Sequence, residues 1–216
     1  DWMERVHQEF DACTVAFEDA ELLMKLTPAS IFRQFPYSEN FSLAVELWWW
    51  LEQPFGKIIE AADVFERAPH RLGVVAEHDG VRYWDDSKAT NFHATHAALE
   101  SVTGPIVWIG GGRAKGGDLT AFAQDVAGCV CAAVVYGEVA ERLAQDMKAV
   151  SLDLVKVEPS FSDAVLAAVE LAKSIPNANV LLSPGFCSFD QFDSYAERGK
   201  SFTDLVLGLK NTGIAS

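Results

Sequence analysis

The chain has 216 residues, half of them hydrophobic, with 31 acidic side chains against 17 Lys and Arg and a net charge of −14. This is enough apolar material for one large domain, or one domain with part of another, around a buried core. The charge argues against nucleic acid as the main partner, since that binding needs clustered Lys and Arg, but a local cationic site for a small anion remains compatible with an acidic surface.

In chain order, residues 1–10 read as a helix and Cys13–Phe17 as a strand, and the start at Asp1 reads as the end of something larger. Asn40–Glu52 reads as a helix, whose Trp48-Trp49-Trp50 run is expected to be mostly buried or at an interface. The longest apolar run, Leu43 to Leu51, is broken by Glu46 and is too short to span a bilayer, and no secretory segment opens the chain. A cytoplasmic protein with no membrane partner is expected. A short helix over Lys57–Glu66 leads to a linker at Ala68-Pro69-His70-Arg71, with a domain boundary near residue 70.

Beyond it, Leu72–Glu77 and Val81–Trp84 read as a hairpin, because Asp79-Gly80 between alternating apolar residues favours a type I′ turn. Helix Thr90–Ser101, strand Ile106–Ile109, helix Leu119–Val126, strand Ala132–Tyr136, helix Val139–Lys148, strand Leu154–Val157, helix Ser162–Ile175, strand Val180–Ser183 and helix Tyr195–Leu209 follow. This alternation predicts an α/β fold: a Rossmann-like, doubly wound, mainly parallel sheet with ligands at the carboxyl ends of its strands. Of the four cysteines, Cys13 and Cys187 stand apart, and Cys129 and Cys131 read as packing inside an apolar strand; none has zinc-site spacing, and free thiols are expected.

Three segments at strand ends carry chemistry. Trp84-Asp85-Asp86-Ser87-Lys88-Ala89-Thr90-Asn91 sets an acid, a cation and two hydroxyls where a strand runs into a helix, with Asp86 or Ser87 as the expected N-cap. Free N–H groups and the helix dipole favour an anion there. Ile109-Gly110-Gly111-Gly112-Arg113-Ala114-Lys115-Gly116-Gly117-Asp118 lets backbone approach a ligand while Lys115 supplies a point charge; it is neither a P-loop nor a dinucleotide fingerprint. In Leu182-Ser183-Pro184-Gly185-Phe186-Cys187-Ser188-Phe189-Asp190-Gln191-Phe192, Ser188 lacks a nucleophile elbow and reads as a hydrogen-bonding group. His93 and His96 share a helix but have no evident third ligand, so no metal site is assigned.

In order and spacing these segments, with Pro69-His70-Arg71 before them and Glu197-Arg198-Gly199 after, resemble the Mur ligase family over about residues 69–209. The Asp86-Ser87-Lys88-Ala89-Thr90-Asn91 stretch, and the absence of Asp-Asn-Pro-Arg, resemble its D-glutamate-adding members. The resemblance implies that residues 1–69 end a central ATP-binding domain and that 70–216 form a Rossmann-like amino-acid-binding domain. It also implies that ATP, with Mg2+, phosphorylates the carboxylate of UDP-N-acetylmuramoyl-L-alanine, and that the amine of D-glutamate attacks the acyl phosphate. By resemblance, Asn40, His70, Arg71, Asp86 and Lys88 meet the nucleotide or the reacting phosphate; Thr90, Lys115, Ser188 and Tyr195 hold D-glutamate; and Lys88 and Lys115 serve catalysis. The magnesium ligands and the P-loop are expected upstream, so the chain alone is expected to be inactive.

The chain departs from the family pattern in the Gly185-Phe186-Cys187 run, in Tyr195 where phenylalanine is usual, and in Leu43 at a second asparagine position near the nucleotide. The Phe17-to-Asn40 segment is also short. A noncatalytic ligand-binding or regulatory module derived from such a ligase is the alternative, and an upstream Gly-Thr-Asn-Gly-Lys-Thr/Ser separates the two. A dinucleotide-dependent reductase has only the fold analogy in its favour.

Overall fold

The computed structural model describes residues 23–209 and divides the chain into two compact units, residues 1–66 and 67–216. The helix expected over residues 1–10 and the strand expected over Cys13–Phe17 lie outside the described residues.

In the first unit a 3-10 turn at Ile31–Arg33 precedes helices α1 (Tyr37–Trp50) and α2 (Phe55–Asp63). Leu26, Phe41, Ile58 and Ala62 form a small core, with Phe32 and Trp48 packed against it. Asp63 Oδ1 accepts from both the N–H and the hydroxyl of Thr27, at 3.0 and 3.1 Å. The expected burial of the tryptophan run holds only for Trp48, which is partly buried and donates to the Pro54 carbonyl at 3.0 Å. Trp49 is 74% exposed and Trp50 57%, because neighbours on a helix turn by about 100° and a core this small covers a single face.

The second unit is a six-stranded sheet: β1 (Gly73–His78), β2 (Val81–Asp85), β3 (Ile106–Gly111), β4 (Ala132–Tyr136), β5 (Val155–Glu158) and β6 (Asn179–Gly185), in the order β1-β2-β6-β3-β4-β5. Only β1 runs antiparallel to its neighbour. The hairpin turns at Asp79 and Gly80, whose φ of 55° and 74° are the two positive values a type I′ turn requires.

Alternate residues of the central strands feed two cores, which makes the sheet doubly wound. Ile106 and Trp108 of β3 pack with α3 (Phe92–Ser101), α4 (Leu119–Cys129) and α5 (Ala140–Ala149). Val107 and Ile109 pack with α6 (Phe161–Ala172) and α7 (Tyr195–Leu209) on the other face. The Rossmann-like expectation is met. Within the crossovers β2-α3-β3 and β5-α6-β6, strand β6 enters between β2 and β3, so the segments following β2, β3 and β6 share one end of the sheet.

Two local expectations change. Cys129 closes α4 and Cys131 precedes β4, both exposed and free, because the strand begins only at Ala132, where every side chain is buried. Strand β3 runs on through Gly110 and Gly111: a Cβ at Gly110 would meet the Trp108 ring, and one at Gly111 the Tyr136 carbonyl, so the pair stays in the ladder because it lacks side chains.

Candidate functional site

The segment after β2 is a buried loop, and the helix starts later than the sequence implied. Asn91 is the N-cap of α3, its Oδ1 accepting the Ala94 N–H at 2.9 Å. Asp86 and Ser87 do not cap, because their side chains are engaged elsewhere. Asp86 accepts the Leu72 N–H at 3.0 Å on one oxygen and the Ser183 hydroxyl at 2.8 Å on the other. The Ser87 hydroxyl donates to the Tyr195 carbonyl at 2.8 Å and accepts from Arg198 Nε at 2.9 Å.

Burial, outweighing the Ser183 and Leu72 hydrogen bonds that favour its anion, pushes the Asp86 carboxyl up to about 7. The folded protein therefore holds the Asp86 proton more tightly than the unfolded chain, in which a free aspartate titrates near 3.9. Stability from this group is fully present below about pH 4 and is lost as the pH rises through about 7. Asp86→Asn, which cannot ionise, should gain about 3 kcal/mol on wild type between pH 4 and 7. Denaturant melts of the two proteins across that range test this, and a constant difference would assign Asp86 an unperturbed carboxylate.

Arg198 is fully buried and ties three segments together. Besides the Ser87 hydroxyl it donates to the Ser87 carbonyl at 2.8 Å, to the Phe186 carbonyl through both terminal nitrogens at 3.2 Å, and to the Tyr136 hydroxyl at 3.3 Å. Sequence reading quoted Arg198 but gave it no role. The available signal was its place on the buried face of α7, one turn before Phe202 and two before Val206.

His70, at the entrance to β1, has Nδ1 2.6 Å from Asp85 Oδ2 and holds a left-handed φ of 61°. Gly199 lies against it, and a Cβ there would overlap the imidazole. The His70 carbonyl accepts the Lys88 N–H at 3.0 Å, and the Lys88 ammonium stands 5.7 Å above the centre of the Tyr195 ring. Arg71 is exposed next to His70, and Asn40 is exposed in the first turn of α1, in the other unit.

Thr90 and Lys115 line one cleft of about 400 Å³, together with Asn91, Phe92, His93, Gly116, Gly185 and Phe186. Its wall is rigid: Phe92 stacks on Phe122 at 4.1 Å, and Phe186 meets both rings edge-on at 5.4 and 5.6 Å. Gly185 holds a φ of 77°, and its missing side chain leaves room for Phe122. No acidic residue lines the cleft, in a chain with 31 of them, while two of its groups can carry positive charge. Among the described residues the Lys115 side chain has no ion pair or hydrogen bond, whereas its neighbour Arg113 is held by Glu138 at 2.8 Å. Ser188 and Tyr195 are not part of this lining: Ser188 is buried with its carbonyl accepting from Gln191 and Phe192, and Tyr195 sits under Lys88.

Residues 70–186 match the family described as Mur ligase, glutamate ligase domain, which is more than half of the chain. The chain belongs to the Mur ligase family. It is 44% identical over 146 residues to the UDP-N-acetylmuramoylalanine–D-glutamate ligase of Pelotomaculum thermopropionicum, an overlap covering 68% of the chain and 32% of that relative. It is 38% identical over 152 residues to the ligase of the same name from Synechocystis, covering 70% of the chain and 34% of the relative. The chain thus spans about a third of the length of these curated relatives. Among solved structures, the UDP-N-acetylmuramate-alanine ligase of Thermotoga maritima superposes with a TM-score of 0.56 at 14% identity, over 82% of this chain and 39% of that one, a likeness of fold.

No helix among the described residues is long and apolar enough to cross a membrane. No group of three or more His, Cys, Asp or Glu among them stands together to hold a metal ion. His96 lies 3.5 Å from Asp125.

Proposed function

We propose that this chain is the carboxyl-terminal part of a cytoplasmic, ATP-dependent ligase of peptidoglycan precursor synthesis, which adds D-glutamate to UDP-N-acetylmuramoyl-L-alanine. In this reading residues 1–69 end the ATP-binding domain and 70–216 are the amino-acid-binding domain. The observation that carries it is the cleft at the carboxyl ends of β2, β3 and β6, where Lys115 and Thr90 converge with no carboxylate opposed to them.

A dicarboxylate requires a cation and oriented donors, and Lys115 with Thr90 supplies both. With its carboxylates held, the amino group of D-glutamate is left free to attack the acyl phosphate formed with ATP. The domain contributes mainly by positioning the reactants. Lys88, with His70 and Arg71 close in the fold, suits the transferring phosphate, since a developing negative charge is stabilised by preorganised positive groups. Asp86, with both oxygens engaged inside the domain, acts on the nucleotide side by fixing the Lys88 loop against Leu72 and Ser183. Ser188 and Tyr195 belong to the amino-acid side through the loops they shape, and Asn40 to the adenine side. Magnesium, when bound with ATP, supplies charge neutralisation at the phosphates, through ligands assigned to the upstream part.

The full-length protein carrying this chain should release phosphate only when ATP, magnesium, the muramoyl nucleotide and D-glutamate are all present, with the amide product seen by mass spectrometry. The 216-residue chain alone, which has no P-loop, should show no turnover. Phosphate release indifferent to D-glutamate, or none from the full-length protein, would overturn the reading in favour of a noncatalytic module.

A further inference from the structure

The cleft contains a side chain with no task in carboxylate binding by Lys115 and Thr90. His93, the second residue of α3, lines it and is exposed, and among the described residues its ring has no hydrogen bond, ion pair or aromatic partner. The residue before it is the one that packs. Phe92 is pinned between Phe122 and Phe186 and fills the space left by the missing side chain of Gly117. A residue one step along a helix points about 100° away. His93 is thereby offset from the Phe92 ring and stays out of the aromatic packing, and it lines the cleft that Lys115 reaches from the β3 loop.

We infer that His93 is a specificity-determining residue of this cleft, donating to one carboxylate of an amino dicarboxylate while Lys115 engages the other. This rests on the reading that the cleft holds the incoming amino acid. One ammonium compensates one carboxylate, and a second carboxylate brought beside Phe92, Phe186 and glycines loses part of its hydration and gains from a second donor. An imidazole N–H provides it in the neutral form and more strongly as the cation. The pair then reads the number of carboxylates. D-Glutamine, which replaces one carboxylate by an amide, forfeits the charge-assisted bond and should be rejected for that reason.

The test compares wild type, His93→Phe and His93→Gln in the full-length protein, varying each substrate in turn and adding D-glutamine as the competing amino acid. His93→Phe should raise the KM for D-glutamate by about tenfold, the size of one charge-assisted hydrogen bond, and narrow the preference over D-glutamine by a similar factor. The KM for ATP should move by less than about twofold, and His93→Gln, which keeps a donor, should stay within about threefold of wild type for D-glutamate. An unchanged D-glutamate KM and preference in His93→Phe, with wild type active, overturns this inference alone. Equal damage to every substrate together with a lowered melting temperature assigns His93 a structural role and also overturns it. A wild-type protein that ligates no D-glutamate overturns the functional reading, and this inference falls with it.

Discussion

Lys115→Ala in the full-length protein should raise the apparent KM for D-glutamate by at least ~30-fold, equivalent to about 2 kcal/mol, while the KM values for ATP and the muramoyl nucleotide change little. The physical ground is that Lys115 is uncommitted among the described residues and faces a cleft with no acidic group, so the charge it meets is the ligand's. Removing the ammonium leaves a partly desolvated carboxylate without its partner, a loss of about 2–4 kcal/mol. The alanine variant should fold normally, since the side chain lies on an exposed loop and packs against nothing in the core. Steady-state kinetics with each substrate varied in turn decide the matter. An unchanged D-glutamate KM and kcat would mean that the glycine loop does not bind the amino acid, and equal damage to all three substrates would point to domain closure instead.

Arg198→Met should cost about 3–5 kcal/mol of stability and lower the melting temperature of the chain by roughly 10 °C. Methionine approximates the length of the stem but leaves the carbonyls of Ser87 and Phe186 and the Ser87 hydroxyl without the donor they now share, in a place with no access to water. Arg198→Lys should recover only part of the loss, because one ammonium cannot reach from Ser87 to Phe186 and the Tyr136 hydroxyl as the guanidinium does. Thermal and denaturant melts of the three proteins measure both effects. Melting of Arg198→Met within about 2 °C of wild type would show that the loops hold their path without the guanidinium.

Much of the second unit was legible because its strands are short apolar runs and its helices carry apolar residues on one face. Ile106–Ile109, Ala132–Tyr136 and the Asp79-Gly80 turn come out of hydrophobic period and turn chemistry alone. What escaped was set by tertiary contacts. The start of α3 lay at Asn91 because Asp86 and Ser87 bond to Leu72, Ser183 and Arg198, partners distant in the chain and invisible to a local capping rule. Lys115 stood out as a point charge in a glycine loop, Thr90 was paired with it through the family resemblance, and the structure brings both to one cleft. His93 escaped because a histidine on a helix prompts a search for metal ligands, and its place in the cleft lining depends on loops distant in the chain. Of the tryptophan run, expected to be buried or at an interface, a core of four residues takes in only Trp48, and the exposure of Trp49 and Trp50 excludes burial in that core.

The path of the loop after β6 is held by main-chain atoms. Phe186 offers its carbonyl to Arg198, Cys187 exchanges both of its backbone groups with Arg113, and the Gly185 N–H donates to the Ala89 carbonyl at 3.0 Å. These bonds fix where the chain runs by its peptide groups, whatever the side chains at 186 and 187 add by packing. The side chains at 186 and 187 are buried as well, so a change at Phe186 leaves the peptide grip in place and is felt first in the packing against Phe92 and Phe122. Since Phe186 also walls the cleft, the same residue joins two tasks, its carbonyl anchoring the loop and its ring shaping the space in front of Lys115.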